Sequence, residues 1–348
     1  MTTITGKVKK ENFIDYIKCI LLMGVVAIHS DVCVDAPTDV NVAGSYVVEF
    51  FSKSLTLVCV PTFFLLSGYL YFYNINNYKL KDYIYKTKSR AFTLLIPYLL
   101  WNLIGLIIQI GKSVYLNFPS YGLIEGGNLS LEVAARGFWE FTNGYPFAFA
   151  FWFIRNLIIF VLLAPVAYLI GGKNQYILFL FLIVIFVFNI PLWGFEYFIL
   201  GCAMSMLFKS KINNIKPTVA WIGLIVWIGL ALIRLFGSTE HIEVLVKMSM
   251  TVGAFIFLMY FIKKHQQNVH GKLVSIFVSS TFYIYAIHQF FCTVTRNLFI
   301  KKLGLSTFVG VTGSFLCSLI TMIVVSFIIW FVLKRIMPRV MNLLGGNR

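Results

Sequence analysis

Apolar stretches of about 18 residues or more recur along this chain from end to end, and that is the length a helix needs to cross the hydrocarbon of a bilayer. Backbone amides in hydrocarbon find no water, so such a chain must close its hydrogen bonds within helices. Ten stretches are predicted as spans: 13–32, 47–73, 91–112, 147–170, 175–192, 194–208, 218–236, 244–262, 274–295 and 307–333. The expected fold class is therefore all-α integral membrane, a bundle of about ten transmembrane helices. Residues 1–12 and 334–348 read as tails around one membrane domain at 13–333. Composition agrees, with 12% charged residues and a mean hydropathy of +0.85, where soluble domains carry about 25% charged residues.

The net charge of +16 would suit nucleic acid, but the basic residues sit in short loops between apolar stretches, where they orient a membrane protein. With the amino terminus inside, the inner loops and tails hold nineteen Lys and Arg, and the outer connections only Arg136, Arg296, Lys301 and Lys302. Both termini are thus expected in the cytoplasm of a multi-pass cell-membrane protein. No basic-aromatic groove and no zinc-finger spacing accompanies the charge, so nucleic acid is not an expected partner. The six cysteines are scattered, mostly within apolar segments, without a CxxC or a disulfide framework. No HExxH or GxSxG motif is present, and no metal site is expected. The outer segment 113–146, with Gly122, Gly126, Gly127, Asn128 and Gly144, is either a lid over the outer face or a solvated loop. Pro191 and Gly194 predict a tight hairpin between the two short stretches around them.

Ionisable side chains at membrane depth are costly and by default mark a site. The first span carries Asp15, Lys18 and His29. Lys18 and His29 are eleven positions apart, about 1100° of turn, which puts them on one helix face about 16 Å apart along the axis. A histidine on an apolar helix is also an ordinary packing residue, and the alignment with Lys18 favours neither reading outright. Arg155 in the fourth span either snorkels to the outer interface or serves a site. Glu196 opens the sixth span, as a hydrated interfacial group or as a partner for Arg155. His288 follows Tyr283 and Tyr285 in the ninth. Gly68, after Ser67 in the second, would let a backbone or a ligand approach closely. Two histidines, an arginine and a glutamate at overlapping depths predict a polar interior cavity.

These residues resemble the acyltransferase 3 family of integral membrane acyltransferases over about residues 12–335. The opening helix from Ile14-Asp15-Tyr16-Ile17-Lys18 to Ala27-Ile28-His29 is similar to the family's first helix, a basic residue followed after ten others by histidine. Lys18 stands where the family usually has arginine, keeping the charge and losing the planar fork. Pro61-Thr62-Phe63-Phe64-Leu65-Leu66-Ser67-Gly68-Tyr69 resembles the second-helix signature. Lys88-Ser89-Arg90 with Pro97-Tyr98 and Trp101, Phe151-Trp152-Phe153-Ile154-Arg155, and Ser280 to His288 follow in the family's order.

The resemblance implies transfer of an acyl group, most often acetyl, from cytoplasmic acyl-CoA to a hydroxyl of a sugar, glycan or lipid-linked acceptor. The donor, acetyl-CoA or another acyl-CoA, is then a substrate, and no permanently bound cofactor is implied. Lys18, Lys86, Lys88 and Arg90 would hold the CoA phosphates. His29 would take the acceptor proton or carry the acyl group itself. Arg155 would stabilise the oxyanion or hold an acidic acceptor, and His288 would bind the acceptor or support the site. Trp152, Ser67, Tyr285 and Glu196 are the candidates for acceptor contacts. A transporter or flippase for a glycan or lipid-linked sugar would use the same interior without chemistry. Assembly into a homo-oligomer is left open by the sequence.

Overall fold

The structure is a computed structural model that describes residues 12–34, 40–116, 124–125, 128–139, 145–265 and 272–346. Helix α1 (Asn12–His29) leads into α2 (Val42–Phe72) and α3 (Leu80–Tyr115). A two-stranded antiparallel hairpin, β1 (Ile124–Glu125) with β2 (Asn128–Leu129), precedes the short α4 (Leu131–Phe138). A bent pair follows, α5 (Phe149–Leu162) and α6 (Ala164–Gly172), then α7 (Gln175–Val187) and α8 (Phe195–Met206). After α9 (Lys209–Asn213) come α10 (Pro217–Phe236) and α11 (Glu240–His265). A second bent pair, α12 (Val274–Phe290) and α13 (Cys292–Leu303), leads to α14 (Phe308–Ile336) and α15 (Pro338–Leu344).

The described residues are mostly helical, and among them five helices (α2, α3, α10, α11 and α14) are long and apolar enough to cross a membrane, or up to seven elements if each bent pair is one span. Length and composition alone do not recover all ten predicted spans, for visible reasons. Helices α7 and α8 have 13 and 12 residues, and 13 residues rise only about 20 Å against about 30 Å of hydrocarbon. Helix α5 turns by 70° into α6 at Leu163, just ahead of Pro165, whose ring and missing N–H interrupt the helix. The ninth predicted span bends by 64° where the helix tightens into a 3-10 turn at His288–Phe290. The faces of α10 that point outward are apolar, with Trp221, Ile222, Ile225 and Ile233 exposed, as a lipid-facing helix requires and a water-soluble fold would avoid.

Two glycine contacts bring helices to backbone distance. A Cβ on Gly68 of α2 would overlap the carbonyl of Phe198 in α8, and one on Gly201 would overlap the carbonyl of Leu65. The approach predicted at Gly68 is therefore made by a backbone. Gly223 of α10 and Gly253 of α11 face one another in the same way. Small residues of this kind let van der Waals contact and polar interactions hold helices together where lipid removes the hydrophobic drive.

Within the outer segment α4 is docked on α3, where Tyr98 Oη donates to the carbonyl of Phe138, and the chain before α5 is tied to α4, Phe147 N donating to Gly137 O at 3.0 Å. Gly122, Gly126, Gly127 and Gly144 lie outside the described residues, as do residues 1–11 of the N-terminal tail. The predicted turn between α7 and α8 is present, but the helices it joins pack on other elements, α7 on α6 and α11 and α8 on α2 and α6, rather than tightly on each other. Asn189, Trp193 and Gly194 there have positive φ, and Asn189 is tied to α11 by its Oδ1 accepting from Val244 N at 3.1 Å. At the other terminus, the residues predicted as a tail pack back on the bundle. Trp101 Nε1 donates to Leu344 O at 3.1 Å and Tyr283 Oη to Met341 O at 2.7 Å. All six cysteines are free thiols.

Candidate active site

A cavity of about 1490 Å³ runs through the helices, lined along one face of α1 by Asp15, Lys18, Leu22, Val25 and His29. The spacing of Lys18 and His29 thus places them on one wall, as the helical period requires. At one end Lys18 is joined by Arg90 of α3 and by Lys334 and Asn342. Lys18 Nζ lies 3.1 Å from Asp15 Oδ1, with the lysine side chain 40% exposed. At the other end stand His29, Tyr145 and Phe149. Ser67, Trp152 and Tyr285 line the walls between. The Ser67 hydroxyl is used locally, donating to Phe63 O at 2.7 Å. Tyr285 Oη donates to Ala150 O, which anchors α12 against the start of α5.

His29 is the last residue of α1, and its ring meets Phe149 edge-on at 5.0 Å between centroids. Among the described residues no hydrogen bond engages its ring nitrogens, while Arg296 Nη1 donates to its carbonyl at 3.0 Å. The His288 ring lies 5.3 Å from that of His29 and does not line the cavity. His288 is fully buried, and its Nδ1 is 3.0 Å from the carbonyl of Ile284. A carbonyl can only accept, so Nδ1 carries the proton and Nε2 is left as an acceptor nitrogen. That Nε2 has no hydrogen-bond partner among the described residues. The 3-10 turn beginning at His288 orients the ring, and the next residue extends the scaffold: Gln289 Oε1 accepts from Ala150 N at 2.8 Å.

Several predicted site residues are elsewhere. Lys86 Nζ donates to the carbonyl of Tyr71, and Lys88 is exposed off the cavity. Arg155 and Glu196 are buried but do not line it. Arg155 Nε lies 3.3 Å from Asn156 Oδ1, whose amide donates to the strained turn at Trp193 O at 3.2 Å. Glu196 Oε2 accepts from Gly194 N at 3.0 Å, capping its own helix as carboxylates do at an N-terminus. The ion pairs among the described residues do not include Arg155 with Glu196. The predicted polar interior thus forms around His29 and the cations, with Arg155 and Glu196 outside it.

Sequence reasoning missed Arg296, Gln289, Lys334 and Asn342, each brought in by a contact between distant segments. Among the described residues no group of three or more His, Cys, Asp or Glu is placed to hold a metal ion.

A family model described as an acyltransferase domain matches residues 11–331. The chain belongs to the acyltransferase 3 family. No curated protein and no solved structure matches it. Membership makes the chain a membrane acyltransferase in class, and places all of α1, with Lys18 and His29, inside the matched region of this acyltransferase 3 protein. The match stops short of Lys334 and Asn342, which lie at the cavity's cationic end.

Proposed function

We propose that this acyltransferase moves an acyl group, acetyl first among candidates, from cytoplasmic acyl-CoA to the hydroxyl of a sugar, glycan or lipid-linked acceptor. The observation that supports it is one cavity with a cationic end at Lys18 and Arg90 and an imidazole end at His29, in a chain of this family. Donor and acceptor then approach from opposite ends. A pocket for one small ligand usually occupies about 300–1,000 Å³; the volume here, about 1490 Å³, leaves room for parts of both.

At the cationic end, Lys18 and Arg90 hold donor phosphates by charge-assisted hydrogen bonds. At the other, His29 accepts the proton of the acceptor hydroxyl as its oxygen attacks the thioester carbonyl. The tetrahedral intermediate collapses by breaking the carbon–sulfur bond, and the departing CoA sulfur takes the proton from the imidazolium. The products are the ester and free CoA. The alternative, in which His29 attacks the thioester and carries the acyl group, needs the same unoccupied ring nitrogen. His288 packs beside His29, where it supports the ring. Arg155, away from the cavity, has a structural part in this reading.

In the bilayer the chain would make ten crossings, with α7 and α8 as two short ones and both termini in the cytoplasm of the cell membrane. Detergent-purified protein given radiolabelled acetyl-CoA and crude envelope glycan tests the reading. Label should pass to glycan with release of CoA, and His29→Ala should lower the rate at least 10²-fold, the lower range for losing a general base. Full activity in His29→Ala removes His29 from the chemistry. Glycan movement across vesicles without CoA consumption would replace the enzyme with a transporter.

A further inference from the structure

The family match ends at residue 331, yet the cationic end of the cavity is completed beyond it, by Lys334, Asn342 and Gly345. We propose that residues 334–346 form part of the binding site for the phosphate groups of the acyl donor, with Lys334 as a third cation beside Lys18 and Arg90 and the Asn342 amide as an uncharged donor. The inference rests on the acyl-CoA reading above.

Three observations carry it. First, the segment is held in place. Besides the bonds from Trp101 and Tyr283 to the carbonyls of α15, Gly346 adopts a left-handed φ of 66° against Thr93 and Pro97, and a Cβ at Gly345 would overlap the Tyr283 hydroxyl. A wall anchored at several points can present side chains in a fixed geometry.

Second, the charge balance asks for it. Lys18 has the Asp15 carboxylate at 3.1 Å, so much of its field at the mouth is offset, and a donor bearing several phosphate charges needs more than Arg90. Lys334 Nζ instead lies over the Trp330 ring, 4.8 Å from its centroid. An aromatic face supports an ammonium without neutralising it, and the described ion pairs do not include Lys334. The three cations come from α1, α3 and α14 and line the same cavity.

Third, the same segment contains its own control. A bland explanation makes Lys334 one more inner-side cation that orients the chain. Arg335 and Arg339 would serve that purpose equally, and neither lines the cavity; the Arg335 guanidinium lies 4.2 Å from the Phe331 ring centroid.

Equilibrium binding of CoA to the full-length, detergent-purified protein at low salt distinguishes the two. K334E is expected to bind CoA about tenfold more weakly, K334R to stay within about threefold, and R335E within about twofold of wild type. Added salt should shrink the gap, because an exposed mouth is screened. N342D, which brings a carboxylate to the mouth from α15, should weaken binding about tenfold as well and covers the case in which K334E fails to fold. Wild-type affinity in both K334E and N342D overturns the inference, and so does an R335E that loses as much as K334E. A wild type that binds no CoA overturns the acyl-CoA reading itself, and this inference with it.

Discussion

Arg296 acts on His29 through the backbone. The last carbonyls of a helix have no partner within it, and the His29 carbonyl at the end of α1 receives Arg296 Nη1 at 3.0 Å from 267 residues away. A cation there also complements the negative end of the helix dipole. With Phe149 on the edge of its ring and His288 beside it, His29 is held by three different segments, two at the imidazole and one at the backbone. Arg296→Ala is expected to lower kcat about tenfold, leaving KM for acyl-CoA within about twofold, because it loosens the reacting group and leaves the donor mouth intact. Arg296→Lys should recover part of the loss. Steady-state kinetics checks this, and a raised KM with unchanged kcat would sink the positioning role. The sequence made His29 legible because its alignment with Lys18 is a local fact of helical period. Arg296 and His288 reach it only by tertiary contact, and Arg155 drew attention for its depth, which packing in a wall also explains.

At the scale of elements, the crossing of α2 and α8 sets the width of the cavity wall that carries Ser67. Gly68 sits against the Phe198 carbonyl with no room for a methyl group. Gly68→Val should therefore push the helices apart and destabilise the protein by about 1–3 kcal/mol, the usual range for overpacking a tight contact. Gly111→Val in α3 is the matched control, since nothing lies within 4 Å of a Cβ there. A thermal unfolding midpoint for Gly68→Val equal to that of the control would show that the crossing yields easily. Some of this geometry is legible along the chain: Pro165 announces the bend after α5, and Pro191 with Gly194 announces the turn before α8. The bend after His288 is not, because neither glycine nor proline marks it and the 3-10 turn is held by contacts such as Gln289 with Ala150. The docking of α15 was hidden for a similar reason, since short basic segments after a last span read as tails until Trp101 and Tyr283 are placed beside them.

For the molecule as a whole, the donor reading requires that the cationic end of the cavity open to the cytoplasm. The structure links that end to other surface residues. Tyr16 of α1 and His265 at the end of α11 line one smaller apolar cavity, so Lys264 lies at the same end as Lys18. Leu305, just after α13, accepts from Asn41 N at 2.8 Å in the connection that follows His29, so exposed Lys302 marks the opposite end. In a background with the six native cysteines replaced, Lys302→Cys should react with a membrane-impermeant maleimide on intact cells. Lys264→Cys should react only after the cells are opened. The sign follows from the excess of Lys and Arg on one side, which fixes orientation during insertion. The reverse pattern would turn Lys18, Arg90 and Lys334 outward, where cytoplasmic acyl-CoA cannot reach them. The donor site would then have to be sought at the His29 end, where Tyr145 and Phe149 offer aromatic surface and Arg296, the nearby cation, does not line the cavity.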